Sequence, residues 1–155
     1  VFYDAALEAY DEEMYEQTFG VNVDGAIYAT RAALSEMETN ETVDGVRGRV
    51  VSIASTAGIH GGPKDAIYAA SKGALVAFTK SVARSRAGDG ITANLVAPGP
   101  TDTEMLPAER KELARETIPL GKLTTPEEVA EAVQYYLDTS VVTGQVFDVH
   151  GGLYT

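Results

Sequence analysis

Three short apolar runs stand out along the chain, separated by longer stretches in which apolar and polar positions mix. Val50-Val51-Ser52-Ile53-Ala54, Ile91-Thr92-Ala93-Asn94-Leu95-Val96-Ala97 and the segment Gln145 to Val149 predict strands. The stretches between them predict helices over about Asp11 to Met37, Ala66 to Ala87, and from Pro126 to about Leu137. The last of these has the strongest start signal. Thr125-Pro126-Glu127-Glu128 offers an N-cap hydroxyl, a proline in the first turn and a glutamate placed to close a capping box. Thr39 to Gly48 and Thr56 to Pro63 are polar enough for loops, and Met105 to Leu120 forms a lid-like segment that Pro119 and Gly121 bring to an end. Strands alternating with helices predict an α/β fold with a parallel sheet, in one domain over residues 1–155, without repeats or low-complexity runs.

Composition narrows the partners. With 23 acidic against 12 basic residues, a net charge of −11 and a pI near 4.5, binding to nucleic acid or to an anionic membrane is disfavoured. So acidic a surface suits a salt-rich cytoplasm, and a halophilic source is the expectation, to be tested by comparing stability in molar KCl and in dilute buffer. The chain has no cysteine, which excludes disulfides and fits a reducing, cytoplasmic compartment. No run reaches the roughly 18 apolar residues of a membrane span. The two histidines, His60 and His150, have neither cysteines nor a close His partner, so no metal site is expected.

Candidate chemistry centres on three residues. Tyr68 and Lys72 lie four apart in a predicted helix and so share a face, and Ser55 lies thirteen residues before the tyrosine, just past the first strand. A free phenol titrates near 10, and a neighbouring ammonium favours the phenolate, so Lys72 is expected to lower Tyr68 toward useful acid-base range. A hydroxyl at the end of a buried strand can hold the oxygen whose proton moves. Given 8 Tyr and 5 Lys, the Tyr-x-x-x-Lys pair alone has a chance expectation of about 0.3, and a serine at one fixed offset lowers that to about one in a hundred. Pro98-Gly99-Pro100-Thr101-Asp102-Thr103 follows the second strand, where ligands of parallel sheets bind, and lets backbone approach a ligand closely. Asn22 falls in mid-helix between Gly20 and Gly25, where asparagine is a mediocre former.

These motifs, in this order, closely resemble the short-chain dehydrogenase/reductase family from about Tyr3 to Gly152. They are Val21-Asn22-Val23-x-Gly25, Ser52-Ile53-Ala54-Ser55, Tyr68-x-x-x-Lys72, Asn94 with Pro98-Gly99-x-x-x-Thr103, and Thr143-Gly144-Gln145 with Val149-His150-Gly151-Gly152. The resemblance implies a Rossmann-like, doubly wound parallel sheet, of which this chain is the C-terminal part, and a catalytic tetrad of Asn22, Ser55, Tyr68 and Lys72. On that reading Tyr68 exchanges the proton of the substrate oxygen and Ser55 orients that oxygen. Lys72 holds the nicotinamide ribose and lowers the phenol, and Asn22 keeps a water in the proton relay through its helix backbone. Tyr68, Lys72, Pro98, Gly99, Thr101 and Thr103 are the implied contacts to NAD or NADP. Thr101 and Thr103 also suit plain turn or capping positions. The implied activity interconverts a secondary alcohol and a ketone, with 3-oxoacyl or 3-hydroxyacyl thioesters as the substrate class, and a related epimerase or dehydratase is a lesser alternative. The implied assembly is a homodimer or homotetramer packed through the Asn22 and Tyr68 helices, where Ala69, Ala70, Gly73 and Ala74 allow close approach. Two departures fall at the last strand: a short connection from Leu137 to Thr143, and His150 where the family commonly has aspartate.

A dinucleotide site opens with a strand, a glycine-rich turn and a helix N-terminus, and these 155 residues contain no such segment. The expectation is that roughly the first ninety to a hundred residues of a complete enzyme precede this chain. The competing expectation is a truncated, non-catalytic fragment unable to bind dinucleotide alone, its Val50 strand exposed as an unpaired edge.

Overall fold

The computed structural model describes residues 1–62 and 65–154. Its elements run α1 (Glu12–Phe19), α2 (Gly25–Met37), β1 (Gly48–Ile53), α3 (Ala57–His60), α4 (Ala66–Arg86), β2 (Ile91–Pro98), α5 (Ala108–Thr117), α6 (Pro126–Asp138) and β3 (Val146–Val149). The three strands form one parallel sheet in the order β1-β2-β3, with Val50 opposite Ala93 and Val96 opposite Phe147. The α/β class with a parallel, Rossmann-like sheet is the architecture expected from the sequence.

β2 organises the core because it is buried on both faces, which is why it reads as a nearly continuous apolar run. Successive side chains point to opposite faces. Ala93, Leu95 and Ala97 meet α4 through Leu75, Val82 and Ala83, while Val96 meets Ala132 and Tyr136 of α6. Asn94, buried in the same strand, donates to the Val142 carbonyl at 2.9 Å and accepts from the Gln145 amide at 3.0 Å, pinning the entry to β3. Among the described residues, β1 pairs with β2 alone.

The predicted start of α6 is present in full. The Glu128 amide donates to the Thr125 hydroxyl at 3.2 Å, and the Thr125 amide donates back to the Glu128 carboxylate at 2.9 Å. Two expectations need correction. The helix expected to run unbroken from Asp11 to Met37 is divided by a π-helical turn, Gly20–Asp24, in which the Gly25 amide reaches back five residues to the Gly20 carbonyl. A wider turn takes up one extra residue, and Asn22 sits in it. The loop expected over Thr56 to Pro63 contains the short helix α3, and its last residue, Pro63, lies outside the described residues. Among the described residues, no helix is long and apolar enough to cross a membrane.

Candidate active site

The carboxyl end of the sheet gathers the predicted residues. β1 ends at Ile53, and the chain is then strapped to the end of β2: the Ala54 amide donates to the Val96 carbonyl at 2.8 Å and the Thr56 amide to the Pro98 carbonyl at 3.0 Å. Between them Ser55 is fixed, its hydroxyl accepting from the Ala57 amide at 3.2 Å. α4 presents Tyr68 in its first turn and Lys72 one turn later, on the face expected from their spacing. The Lys72 ammonium donates to the Ile53 carbonyl at 2.9 Å and stands 5.8 Å from the centre of the Tyr68 ring. The structure therefore brings Ser55, Tyr68 and Lys72 together at the end of β1.

Electrostatics at Tyr68 run against one expectation. Burial pushes the phenol above its ordinary value, the Ser55 hydroxyl hydrogen-bonded to it works in the opposite direction, and the negative charge of Asp65 pushes it up further. The Lys72 ammonium is turned to the Ile53 carbonyl, and burial pushes its own pKa down.

Asn22 is linked to this group through α4 and not through Lys72. Its side-chain amide donates to the Ser71 hydroxyl at 3.1 Å and to the Val1 carbonyl at 2.8 Å, and Ser71 in turn donates to the Tyr68 carbonyl at 2.7 Å. The π-helical turn presents the Asn22 side chain to α4, where it is only 7% exposed.

The Pro98 to Thr103 turn lies beside these residues but is largely occupied with its own folding. The Gly99 amide donates to the Val149 carbonyl at 2.9 Å, the Thr101 hydroxyl to the Gly99 carbonyl at 3.0 Å, and the Thr103 amide to the Thr101 carbonyl at 2.9 Å. A Cβ on Gly99 would come within 2.7 Å of the His150 Cβ, so glycine is needed there for packing against the end of β3.

Several contributors were not singled out in the sequence. A Cβ on Gly58 would lie 2.6 Å from the Lys72 carbonyl carbon and 2.8 Å from the Gly73 amide, so α3 can seat on α4 beside Lys72 only with glycine there. Ser71, fully buried, joins Asn22 to Tyr68. Phe2 stands edge-on to Tyr68 with ring centres 5.1 Å apart. Ser71 lies inside the Tyr-x-x-x-Lys run, where a serine on a helix face is a usable signal. Gly58 and Phe2 depend on distant partners and carry no local signal.

Similarity to known proteins agrees with this arrangement. Residues 3–154 match the family model described as Enoyl-(Acyl carrier protein) reductase. The chain is 37% identical over 155 residues to a 3-oxoacyl-[acyl-carrier-protein] reductase, FabG, of Thermotoga maritima, covering 97% of this chain and 61% of that protein. It is 36% identical to carbonyl reductase family member 4 of Danio rerio, again covering 97% of this chain and 61% of the relative. A crystal structure of 3-hydroxyacyl-CoA dehydrogenase type-2 from Mycobacterium avium superposes with a TM-score of 0.89 at 26% identity, over all of this chain and 63% of that one. The chain thus spans less than two thirds of the length of these relatives. With the Ser55, Tyr68 and Lys72 side chains at the end of a parallel strand and a family model matched almost end to end, the chain belongs to the short-chain dehydrogenase/reductase family.

Proposed function

We propose that the protein to which this chain belongs is an NAD(P)-dependent oxidoreductase that interconverts a secondary alcohol and a ketone, with 3-oxoacyl or 3-hydroxyacyl thioesters as its substrate class. The observation that carries this is the meeting of a half-buried phenol, a hydroxyl and an ammonium at the carboxyl end of β1. The substrate class follows the relatives, which include an acetoacetyl-CoA reductase of Acinetobacter at 33% identity as well as the 3-oxoacyl reductases.

In this mechanism Tyr68 moves the proton at its phenol oxygen. For reduction it donates to the carbonyl oxygen, and burial, by favouring the neutral phenol, keeps that proton available near neutral pH. Ser55, held by the Ala57 amide, presents its hydroxyl to the same oxygen and stabilises the charge that develops there. The donor set also suits a dinucleotide. An ammonium has three N–H donors, and the one hydrogen bond found for Lys72, to Ile53, leaves two for ribose hydroxyls. Pro98 ends β2 and Gly99, Thr101 and Thr103 follow it, at the strand ends where ligands of such sheets bind, and these four residues would contact the nucleotide there. A bound nicotinamide supplies or accepts the hydride. Asn22, acting through Ser71, holds the backbone of α4 at Tyr68.

The test is Tyr68→Phe in the full-length protein, with acetoacetyl-CoA and NADPH or NADH as probes. The parent should turn over, and the variant should lose about 10²- to 10⁴-fold in kcat while still binding the nucleotide by fluorescence. A fully active variant would sink the mechanism, and an inactive parent would shift weight to a non-catalytic protein.

A further inference from the structure

Phe2 is held from two sides. One edge meets the Tyr68 ring at 5.1 Å and nearly perpendicular, and the Arg110 guanidinium lies over the Phe2 ring, 5.4 Å from its centre. The same guanidinium pairs with the Asp4 carboxylate at 2.5 Å. Arg110 belongs to the first turn of α5, whereas Phe2 and Asp4 precede α1, so one side chain joins two segments far apart in sequence beside Tyr68. A second line of influence runs in parallel. Asp65, at the start of α4, feels the charges of both Arg110 and Asp4 and acts in turn on Tyr68.

The rest of α5 shows why such an attachment matters. It is anchored by Ala114 and, just past its end, Ile118, which pack with Leu123, Leu106 and Leu153. That anchor serves the carboxyl half of the helix. At its amino end Arg110 supplies the attachment to the segment before α1, while the helix's other two cations pair nearer in sequence: Lys111 with Asp102, and Arg115 with Glu112. The Arg110 and Asp4 side chains are 30% and 41% exposed, so the pair is neither sealed in the core nor free in solvent.

We propose that Arg110 is a positioning residue: by pairing with Asp4 and covering Phe2 it docks the amino end of α5 onto the segment before α1 and holds the Phe2 ring against Tyr68. This rests on the oxidoreductase reading above. A half-exposed ion pair and a cation over an aromatic face are each modest, so loss of both should cost about five- to tenfold in kcat/KM and leave the fold intact.

The experiment is a set of steady-state measurements on the full-length protein with acetoacetyl-CoA and its preferred nucleotide. Parent, Arg110→Ala, Arg110→Lys, Asp4→Arg, Arg110→Asp, the double reversal Asp4→Arg/Arg110→Asp, and Tyr68→Phe are compared, each with its melting temperature. Arg110→Ala should raise KM for the ketone and lower kcat, leaving KM for the nucleotide and the melting temperature near those of the parent. Arg110→Lys, which restores the pair with Asp4 but covers Phe2 less well, should recover part of the loss. The double reversal should be more active than either single reversal. Parental kcat and KM in Arg110→Ala would overturn the proposal, as would a double reversal no better than its parts, or a loss that simply tracks the melting temperature. An active Tyr68→Phe would instead overturn the oxidoreductase mechanism on which it rests, so the two failures are told apart.

Discussion

The two ends of the parallel sheet use the same kinds of side chain in opposite ways. At the amino end, Arg47 donates to the carbonyls of Glu38 at 3.0 Å, Asn40 at 2.9 Å and Asp89 at 3.2 Å, and Arg86 pairs with the carboxylates of Glu38 and Asp89. Those cations are committed to tying loops together. At the carboxyl end, Lys72 makes one hydrogen bond with three donors to offer, and the Tyr68 phenol is half-buried with the Ser55 hydroxyl beside it. Charge density alone would point to the wrong end. Polar capacity held in a fixed place and left uncommitted is what marks the end that can do chemistry.

The sharpest way to break this contrast is Lys72→Ala. It should lower kcat/KM by about 10²- to 10³-fold, as loss of one preorganised donor does, and should leave stability within about 1 kcal/mol, because it also removes an ammonium whose burial is unfavourable. Kinetics in the full-length protein, paired with urea melts, measure both numbers. A large loss of stability would mean that Lys72 is a tie like Arg47.

Tyr136 offers a second phenol against which to judge Tyr68. Both are pushed up by burial, Tyr136 to about 12 with Tyr135 and Asp148 adding to the effect, but Tyr136 is walled into the α6 side of the core with Val96 and Ala132. Its folded pKa lies above the unfolded value of about 10, so the native state binds more protons over that interval and stability falls as pH rises. The loss should reach about 2–3 kcal/mol between pH 10 and 12. Tyr136→Phe should flatten that part of an alkaline stability profile without changing kcat at neutral pH. An unchanged profile would assign the alkaline loss to other groups.

Arg47→Ala is the converse of Lys72→Ala and smaller. Three carbonyls lose a charged donor at a half-exposed site, which should destabilise by about 1–2 kcal/mol while kcat/KM stays within a factor of two. Activity falling together with stability would show that the two ends are mechanically coupled.

How much of this was legible in the sequence follows from the range of the interactions involved. The capping box at Thr125, the buried run of β2, and the shared face of Tyr68 and Lys72 depend on neighbours within a turn or on strict alternation, and each appears where the pattern places it. The π-helical turn at Asn22 was visible only as an asparagine out of place, because its partner Ser71 is 49 residues away. The requirement for glycine at position 58 and the Phe2 contact also come from elements far apart in sequence. The Tyr68 phenol lies above its ordinary value and not below it because burial dominates there, and spacing along a helix shows that two side chains share a face but not how far either is removed from water.

Asp65 gives the smallest and most discriminating prediction. Its carboxylate is pushed up by burial, with Arg110 pulling it the other way, and its negative charge raises the Tyr68 phenol. Asp65→Asn removes that charge and should lower the phenol. Alcohol oxidation needs the phenolate as base, so its rising limb with pH should move to more acidic pH, with a gain of about two- to fivefold on the acidic side. Ketone reduction needs the protonated phenol, so its falling limb should move the same way, with a matching loss on the alkaline side. A general disturbance of the fold would lower both rates together. Opposite changes in the two directions, measured with the same enzyme preparation across one set of buffers, are what a purely electrostatic action of Asp65 on Tyr68 requires; parallel changes would place the effect of Asp65 in the packing of α4 and not in its charge.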